Sequence, residues 1–287
     1  MPIRISVNGV ITPPEEARIP VLDHGFLFGD NIYEAIRTYQ RKPFLFARHY
    51  ARLQHSAERI YLRLPGTREE TLGEVRRTLD AAGNPESRIR LIITRGVGEL
   101  LPSMETCTEP ATVIIVSPLA EIPASVYSEG VDVVLSKFRR SGQFSDVKTG
   151  SLIQQVLAFR EAKAANVHES ILTTPEGYLS DGTASNIYLV RGNTILTPSR
   201  EANALEGITR GVVLELAQRL GLHVVEGLFL PEEIDGAEEM FLTSTTREIV
   251  PVVRVNGKAV GAGAPGSWTI QLLRAYREAV ARLIEED

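Results

Sequence analysis

Apolar residues recur along this chain with two periods, and the periods trade places several times. Near the start they alternate: Ile3, Ile5 and Val7, then Asn8-Gly9, then Val10-Ile11. Alternation around Asn-Gly predicts a hairpin with a type I′ turn. Residues 23–38 carry a glycine-rich turn, Phe28-Gly29-Asp30, and then an apolar run. From 48 to 61 the spacing becomes helical, with Leu53, Ala57 and Ile60 on one face and Arg48 and Arg52 four apart on another. Thr67-Arg68-Glu69-Glu70 has the form of a capping box and predicts a helix through Leu72, Val75 and Leu79. Segments 88–94 and 112–117 read as strands.

The second half alternates strands with helices. Strands are expected at 131–136, 169–172, 187–190, 194–196, 240–243 and 251–255. Helices are expected at 152–165, from Gly207 onward, and at 269–284. The middle helix carries Val212, Val213, Leu216, Ala217 and Leu220, and Gly221 closes it. The proline-spaced run 118–123 is the best linker. The pattern predicts an α+β (mixed α/β) chain of two domains, 1–118 and 128–287, joined through 119–127.

Composition narrows the function classes. The 287 residues can bury two cores, and 43% hydrophobic with 23% charged residues is ordinary for a globular protein. A net charge of −5 with no basic run argues against a nucleic-acid partner. One cysteine, Cys107, cannot form an internal disulfide and suits a reducing, cytoplasmic setting. No secretory signal core is visible, and no apolar run approaches the roughly 18 residues of a membrane span. The five histidines lack metal-ligand spacing, so no metal site is expected.

The candidate chemistry begins at Leu205-Glu206-Gly207-Ile208-Thr209-Arg210. A glycine and a threonine opening a helix leave backbone N–H groups and a hydroxyl pointing outward, at the positive end of the helix dipole. That arrangement seats a phosphate. Thr243-Ser244-Thr245-Thr246 offers a second set of hydroxyls, for a phosphate or for a turn cap. Lys148, in Lys-Thr-Gly-Ser, is either a Schiff-base amine or a surface lysine. Asp181 either pairs with a pyridine nitrogen or turns a hairpin through Asp-Gly. Arg48 can serve as a phosphate fork or lie in solvent. Arg88 and Arg90 alternate with Ile89, Leu91 and Ile93, so both point to one face.

In order, these segments resemble the class IV (fold type IV) pyridoxal-phosphate enzymes, over nearly the whole chain. That family holds branched-chain aminotransferases, D-amino-acid aminotransferases and 4-amino-4-deoxychorismate lyases. The residues that carry the resemblance are Phe28-Gly29-Asp30-Asn31-Ile32-Tyr33-Glu34, Arg48-His49-Tyr50-Ala51-Arg52-Leu53, Lys148, Asn186-Ile187-Tyr188, Leu205–Arg210 and Gly266-Ser267-Trp268-Thr269. The resemblance implies two α/β domains, pyridoxal 5′-phosphate in the cleft between them, and a homodimer whose partner loop helps close the substrate pocket. It makes Lys148 the cofactor-bonding lysine and Arg48 a phosphate ligand beside Ile208, Thr209 and Thr245. It places Leu205 against the ring and Asp181 at the pyridine nitrogen. The family usually has glutamate at Asp181, and its branched-chain members often have tyrosine at Ile153.

Within the family, D-amino-acid enzymes trap the carboxylate with an Arg-x-His pair, where this chain has Glu99-Leu100-Leu101-Pro102-Ser103. The lyases tend to carry lysine at Arg90. Tyr33-Glu34-Ala35-Ile36-Arg37 follows the branched-chain pattern. The expectation is transfer from a branched-chain L-amino acid to 2-oxoglutarate, with Tyr33, Arg90 and Thr246 touching substrate. The alternatives are a D-amino-acid or (R)-amine aminotransferase, a lyase, and a non-catalytic binder of a phosphate ligand.

Overall fold

The computed structural model describes residues 2–285. The chain forms two compact units, each built on its own sheet. The first holds β1 (Arg4–Val7), β2 (Val10–Thr12), α1 (His24–Leu27), β3 (Asn31–Tyr39), β4 (Lys42–Pro43), α2 (Phe46–Arg59), α3 (Arg68–Ala82), β5 (Ser87–Thr94) and β6 (Ala111–Pro118). Its sheet runs β2-β1-β6-β5-β3-β4, with antiparallel neighbours.

Local chemistry explains these elements. Val7 pairs with Val10, and Asn8 and Gly9 both take positive φ, as a type I′ turn demands. Thr67 caps α3: the Glu70 N–H donates to Thr67 Oγ1 at 3.2 Å, and the Thr67 N–H donates to Glu70 Oε2 at 2.8 Å. The apolar run after Asp30 becomes β3. Its even positions, Ile32, Glu34, Ile36 and Thr38, are buried, and its odd positions only half so. The even face packs with Leu53 of α2, Val75 of α3, and Ile89, Leu91 and Ile114 of the sheet. The odd face keeps Tyr33, and β5 brings Arg90 to the position opposite Ala35.

The second unit holds α4 (Ser125–Ser128), β7 (Val131–Arg139), α5 (Ile153–Ala164), β8 (Glu169–Thr173), β9 (Leu179–Gly182), β10 (Asn186–Arg191), β11 (Thr194–Pro198), α6 (Ile208–Arg219), β12 (His223–Gly227), β13 (Glu239–Ser244), β14 (Glu248–Val255), β15 (Lys258–Ala259) and most of α7 (Ser267–Leu283). Its sheet runs β12-β11-β10-β13-β14-β7-β8-β9, with β15 beside β14. Val133, Ile171, Ile187, Leu242 and Val250 lie in its core. Gly221 takes φ +81 just past α6, and the Leu222 N–H returns to the Ala217 carbonyl at 2.9 Å.

Three features differ from the sequence expectation. The units are not continuous in sequence: residues 147–151 and 282–285 group with the first. The reason for 147–151 is strand pairing. The Tyr33 N–H donates to the Lys148 carbonyl at 2.9 Å, the Gly150 N–H donates to the Asn31 carbonyl at 3.2 Å, and Thr149 bridges Ile32. Val147 is buried in the first core. Second, Asp181-Gly182 turns no hairpin. Both residues lie inside β9, which pairs with β8, and 183–185 make the turn. Third, several short elements, α1, β4, α4, β9, β12 and β15, are absent from the sequence expectation, and β12 shows why. It is a short edge strand with mostly exposed side chains, so burial left no apolar pattern to read.

Candidate active site

In the first unit the sheet gathers three of the expected groups. Lys148 Nζ stands 4.7 Å from the centroid of the Tyr33 ring, and Arg90 Cζ stands 3.9 Å from it. Both are cation–π distances. The cause is register. The extended segment around Lys148 adds to the edge of β3, while Arg90 rises from β5 on the other side of that strand. An amine, an aromatic ring and a guanidinium thus share the odd face of one strand.

Behind this face lies a charged group that sequence reasoning missed. Glu34 is 0% exposed. Arg52 Nε donates to its Oε1 at 2.8 Å and Arg52 Nη2 to its Oε2 at 2.6 Å, while His49 Nδ1 meets Oε2 at 2.7 Å. Burial works to raise the Glu34 pKa, but the Arg52 charge and the hydrogen bonds of Arg52 and His49 outweigh it, and the carboxyl is held down at about 2. The alternation in β3 carried the signal: a glutamate at an even, core-facing position demands a cation opposite.

This group sorts two of the arginines of α2, Arg48 and Arg52. The Arg52 fork is engaged by Glu34, so it locks the helix to the strand. Arg48, half-buried, sits beside His49 one turn earlier. Burial lowers the His49 pKa, and the charges of Arg52 and Lys148 lower it further, against the pull of Glu34. The Lys148 amine is therefore within electrostatic reach of the turn that carries Arg48 and His49. Its backbone is tied to the same helix, because the Lys148 N–H donates to Ser56 Oγ at 3.3 Å.

In the second unit, Asp181, Leu205 and the start of α6 come together. Asp181 is 5% exposed. Its Oδ2 accepts the Leu205 N–H at 2.7 Å, its Oδ1 accepts Asn186 Nδ2 at 2.9 Å, and Arg140 Nε lies 3.8 Å from Oδ2. Burial pushes the Asp181 carboxyl up, against the pull of Arg140 and these hydrogen bonds. Asn186 also donates to the Leu205 carbonyl at 2.7 Å, so one amide joins the carboxylate to the approach of α6.

Gly207 is the N-cap of α6 and makes no side-chain cap bond, so Ile208 and Thr209 open the helix without a capping side chain. A Cβ at Gly207 would sit 2.0 Å from Asn186 Oδ1, so only glycine fits between amide and helix. Asn186 pairs with Thr243 across β10 and β13, which brings the turn holding Thr245 and Thr246 to the same end of the sheet. Both threonines are half-buried there.

Residues 31–255 match the family model of class IV amino-transferases. The chain belongs to this family. It is 32% identical to a putative branched-chain-amino-acid aminotransferase of Methanocaldococcus jannaschii over 279 residues, covering 96% of each protein. It is 30% identical to the D-alanine aminotransferase of Bacillus licheniformis over 278 residues, covering 97% of each. Among solved structures, the Escherichia coli branched-chain amino acid aminotransferase superposes with a TM-score of 0.91 at 27% identity, covering 97% of this chain and 94% of that one. The architecture is fold type IV and the protein is a transaminase. Identities of 32% and 30% do not separate the branched-chain from the D-alanine activity.

Among the described residues, no group of three or more His, Cys, Asp or Glu side chains is arranged to hold a metal ion. No helix of the described residues is long and apolar enough to cross a membrane.

Proposed function

We propose that this class IV aminotransferase uses pyridoxal 5′-phosphate to move the amino group of L-leucine, L-isoleucine or L-valine to 2-oxoglutarate. The observation that carries the reading is the grouping of Lys148, Tyr33 and Arg90 on one strand face. The residues present suit the cofactor. The uncapped first turn of α6 offers N–H donors to a phosphate, and Thr209 and Thr245 add hydroxyls. Asp181 is buried and accepts two hydrogen bonds, while a carboxylate has about four acceptor sites.

When bound, pyridoxal phosphate supplies an electron-poor ring that draws electron density from the substrate Cα. Asp181 would keep a proton on the pyridine nitrogen, and Leu205 would pack against the ring. With the cofactor bound, Lys148 Nζ would take the proton from substrate Cα and hold it for return. Ile208, Thr209 and Thr245 hold the phosphate. Between Arg48 and Arg52, four apart on α2, we favour Arg48 as the phosphate fork, because Glu34 engages the fork of Arg52. Arg90 takes the α-carboxylate, Tyr33 bounds the pocket, and Thr246 closes it. The loop at Glu99–Ser103 offers no Arg-x-His trap for a D-substrate.

The active form is a homodimer. Val21, Leu22, Phe26, Phe28, Leu100 and Leu101 are large exposed hydrophobics, Leu100 at 72%. Their two segments are tied together by the Asp23–Val97 bridge and by His24 Nε2 on the Glu99 carbonyl at 2.8 Å. Exposed apolar side chains on two tied segments support an interaction surface there.

The test is a panel of matched L- and D-amino acids with 2-oxoglutarate, run beside Lys148→Ala. We expect L-branched-chain substrates to lead and Lys148→Ala to lose several orders of magnitude in rate. Near-normal turnover in that variant would remove Lys148 from the mechanism. The second reading, a D-amino-acid aminotransferase, is favoured by the D-alanine enzymes at 30% identity, and faster D-series rates would establish it.

A further inference from the structure

A second buried charged group lies in the second unit, and the mechanism above does not use it. Glu169, 1% exposed, opens β8. Its Oε1 accepts three hydrogen bonds from the turn between β9 and β10: Ala184 N–H at 2.7 Å, Thr183 Oγ1 at 3.0 Å and Ser185 Oγ at 3.0 Å. Its Oε2 faces Arg247 Nη1 at 2.8 Å. Burial works to raise the Glu169 pKa, but the Arg247 charge and these hydrogen bonds win and hold it down.

Arg247 belongs to the other turn, between β13 and β14. Its Nε donates to Ser244 Oγ at 3.0 Å, its Nη2 to the Ala184 carbonyl at 3.3 Å, and its Nη1 meets His168 Nε2 at 3.0 Å. Its own carbonyl accepts the Tyr127 hydroxyl at 3.2 Å. One guanidinium therefore ties together the segment that follows Asp181 and the segment that holds Thr245 and Thr246. Thr245 and Thr246 lie between Ser244 and Arg247, so both ends of the threonine pair are fixed by one side chain.

We propose that Arg247 is a positioning residue for the phosphate turn: it holds Thr245 and Thr246 in fixed relation to Asp181 and Asn186, without itself touching the phosphate. The inference rests on the reading of that turn as a phosphate contact. A preformed turn spares the ordering cost that a loose one would meet when the phosphate arrives. Arg247→Ala alone would leave the Glu169 charge buried without its cation. The informative variant is therefore Arg247→Met with Glu169→Gln, which removes both charges and keeps the volume.

The readout is the dissociation constant of the apoprotein for pyridoxal 5′-phosphate and for pyridoxal, which lacks the phosphate, measured with Thr245→Val in parallel. Positioning predicts that the double variant weakens pyridoxal phosphate binding tenfold or more, with pyridoxal changed less than twofold. A general loosening of the fold would weaken both ligands alike and overturn the inference, as would unchanged binding of pyridoxal phosphate. If Thr245→Val loses the preference for the phosphorylated ligand and the double variant keeps it, the turn binds phosphate and Arg247 is only structural. If Thr245→Val keeps the preference, the phosphate reading of the turn fails, and the role of Arg247 fails with it.

Discussion

Each unit sets an arginine and a histidine against a buried glutamate, but the two groups are wired differently. In the first unit Glu34 is the hub: Arg52 and His49, both from α2, converge on one carboxylate of β3. In the second unit Arg247 is the hub, reaching Glu169, His168 and two turns. A carboxylate hub locks a helix to a strand and so aims one helix face. A guanidinium hub, with five donors in a rigid fork, can hold several loop carbonyls and hydroxyls at once. Helix and strand need one pin, whereas two adjoining turns need several.

The histidines show the same contrast. His49 Nδ1 lies against a carboxylate, so a proton there meets an anion. His168 Nε2 lies against Arg247, so that nitrogen must accept and the ring must be neutral. Burial lowers the pKa of both, and Arg247 lowers that of His168 further.

The largest effect expected from breaking this comparison comes at Arg52. Arg52→Ala removes the bidentate cation from a carboxylate with no water access, and should cost about 3–5 kcal/mol of stability. Chemical denaturation measures it. Arg48→Ala should stay within about 1 kcal/mol, being a half-buried helix side chain. Equilibrium dialysis of pyridoxal phosphate then separates their binding roles. We expect Arg48→Ala to weaken retention about tenfold or more, as loss of a charge-assisted fork would. Unchanged retention in Arg48→Ala, with a large loss in Arg52→Lys, would move the phosphate contact to Arg52.

The next effect is in pH. The histidine pKa values are lowered from 6.5, so their neutral forms stabilise the fold above that pH and the contribution is lost as pH falls below it. The Glu34 pKa is lowered from 4.5 to about 2, so its contribution is present above 4.5 and is lost as pH falls towards 2. Melting temperature against pH should therefore fall in two stages. His168→Gln should flatten the upper stage and leave the lower one intact. A single transition, unmoved by His168→Gln, would show that the Arg247 hub does not sense this proton.

The smallest effect tests redundancy. Ser185→Ala removes one of three hydrogen bonds to Glu169 Oε1 and should cost about 1 kcal/mol. Thr67→Ala, which breaks the capping box of α3, should cost a similar amount. If Ser185→Ala costs several times more than Thr67→Ala, the second group is cooperative rather than a sum of contacts.

The legible features of this chain were those with local causes. The Asn8-Gly9 turn, the Thr67 capping box and the Gly221 helix stop follow from dihedral preference and hydrogen bonds a few residues apart. The alternation 88–94 placed Arg90 opposite the buried Ile89 and Leu91, and the structure has that pattern. Asp181 was harder, because Asp-Gly is a turn signal in isolation, and the pairing of β9 with β8 overrode it. Burial of Glu34 was readable from β3 only once that strand was recognised. Its partner Arg52 was legible only as a charge on a helix.

The sequence by itself determined most of the longer elements, the family and the kinds of groups present, because motif chemistry and periodicity act over a few residues. Only the tertiary structure decided which of those groups meet. Lys148 stands 58 positions beyond Arg90 in the chain and 115 beyond Tyr33, yet all three share a strand face because residues 147–151 leave the second unit to pair with β3. Glu169, at the start of β8, and Arg247, in the turn between β13 and β14, stand 78 positions apart in the chain and meet at 2.8 Å. Local turns set the register of hairpins, but pairing between strands distant in sequence is a property of the whole sheet.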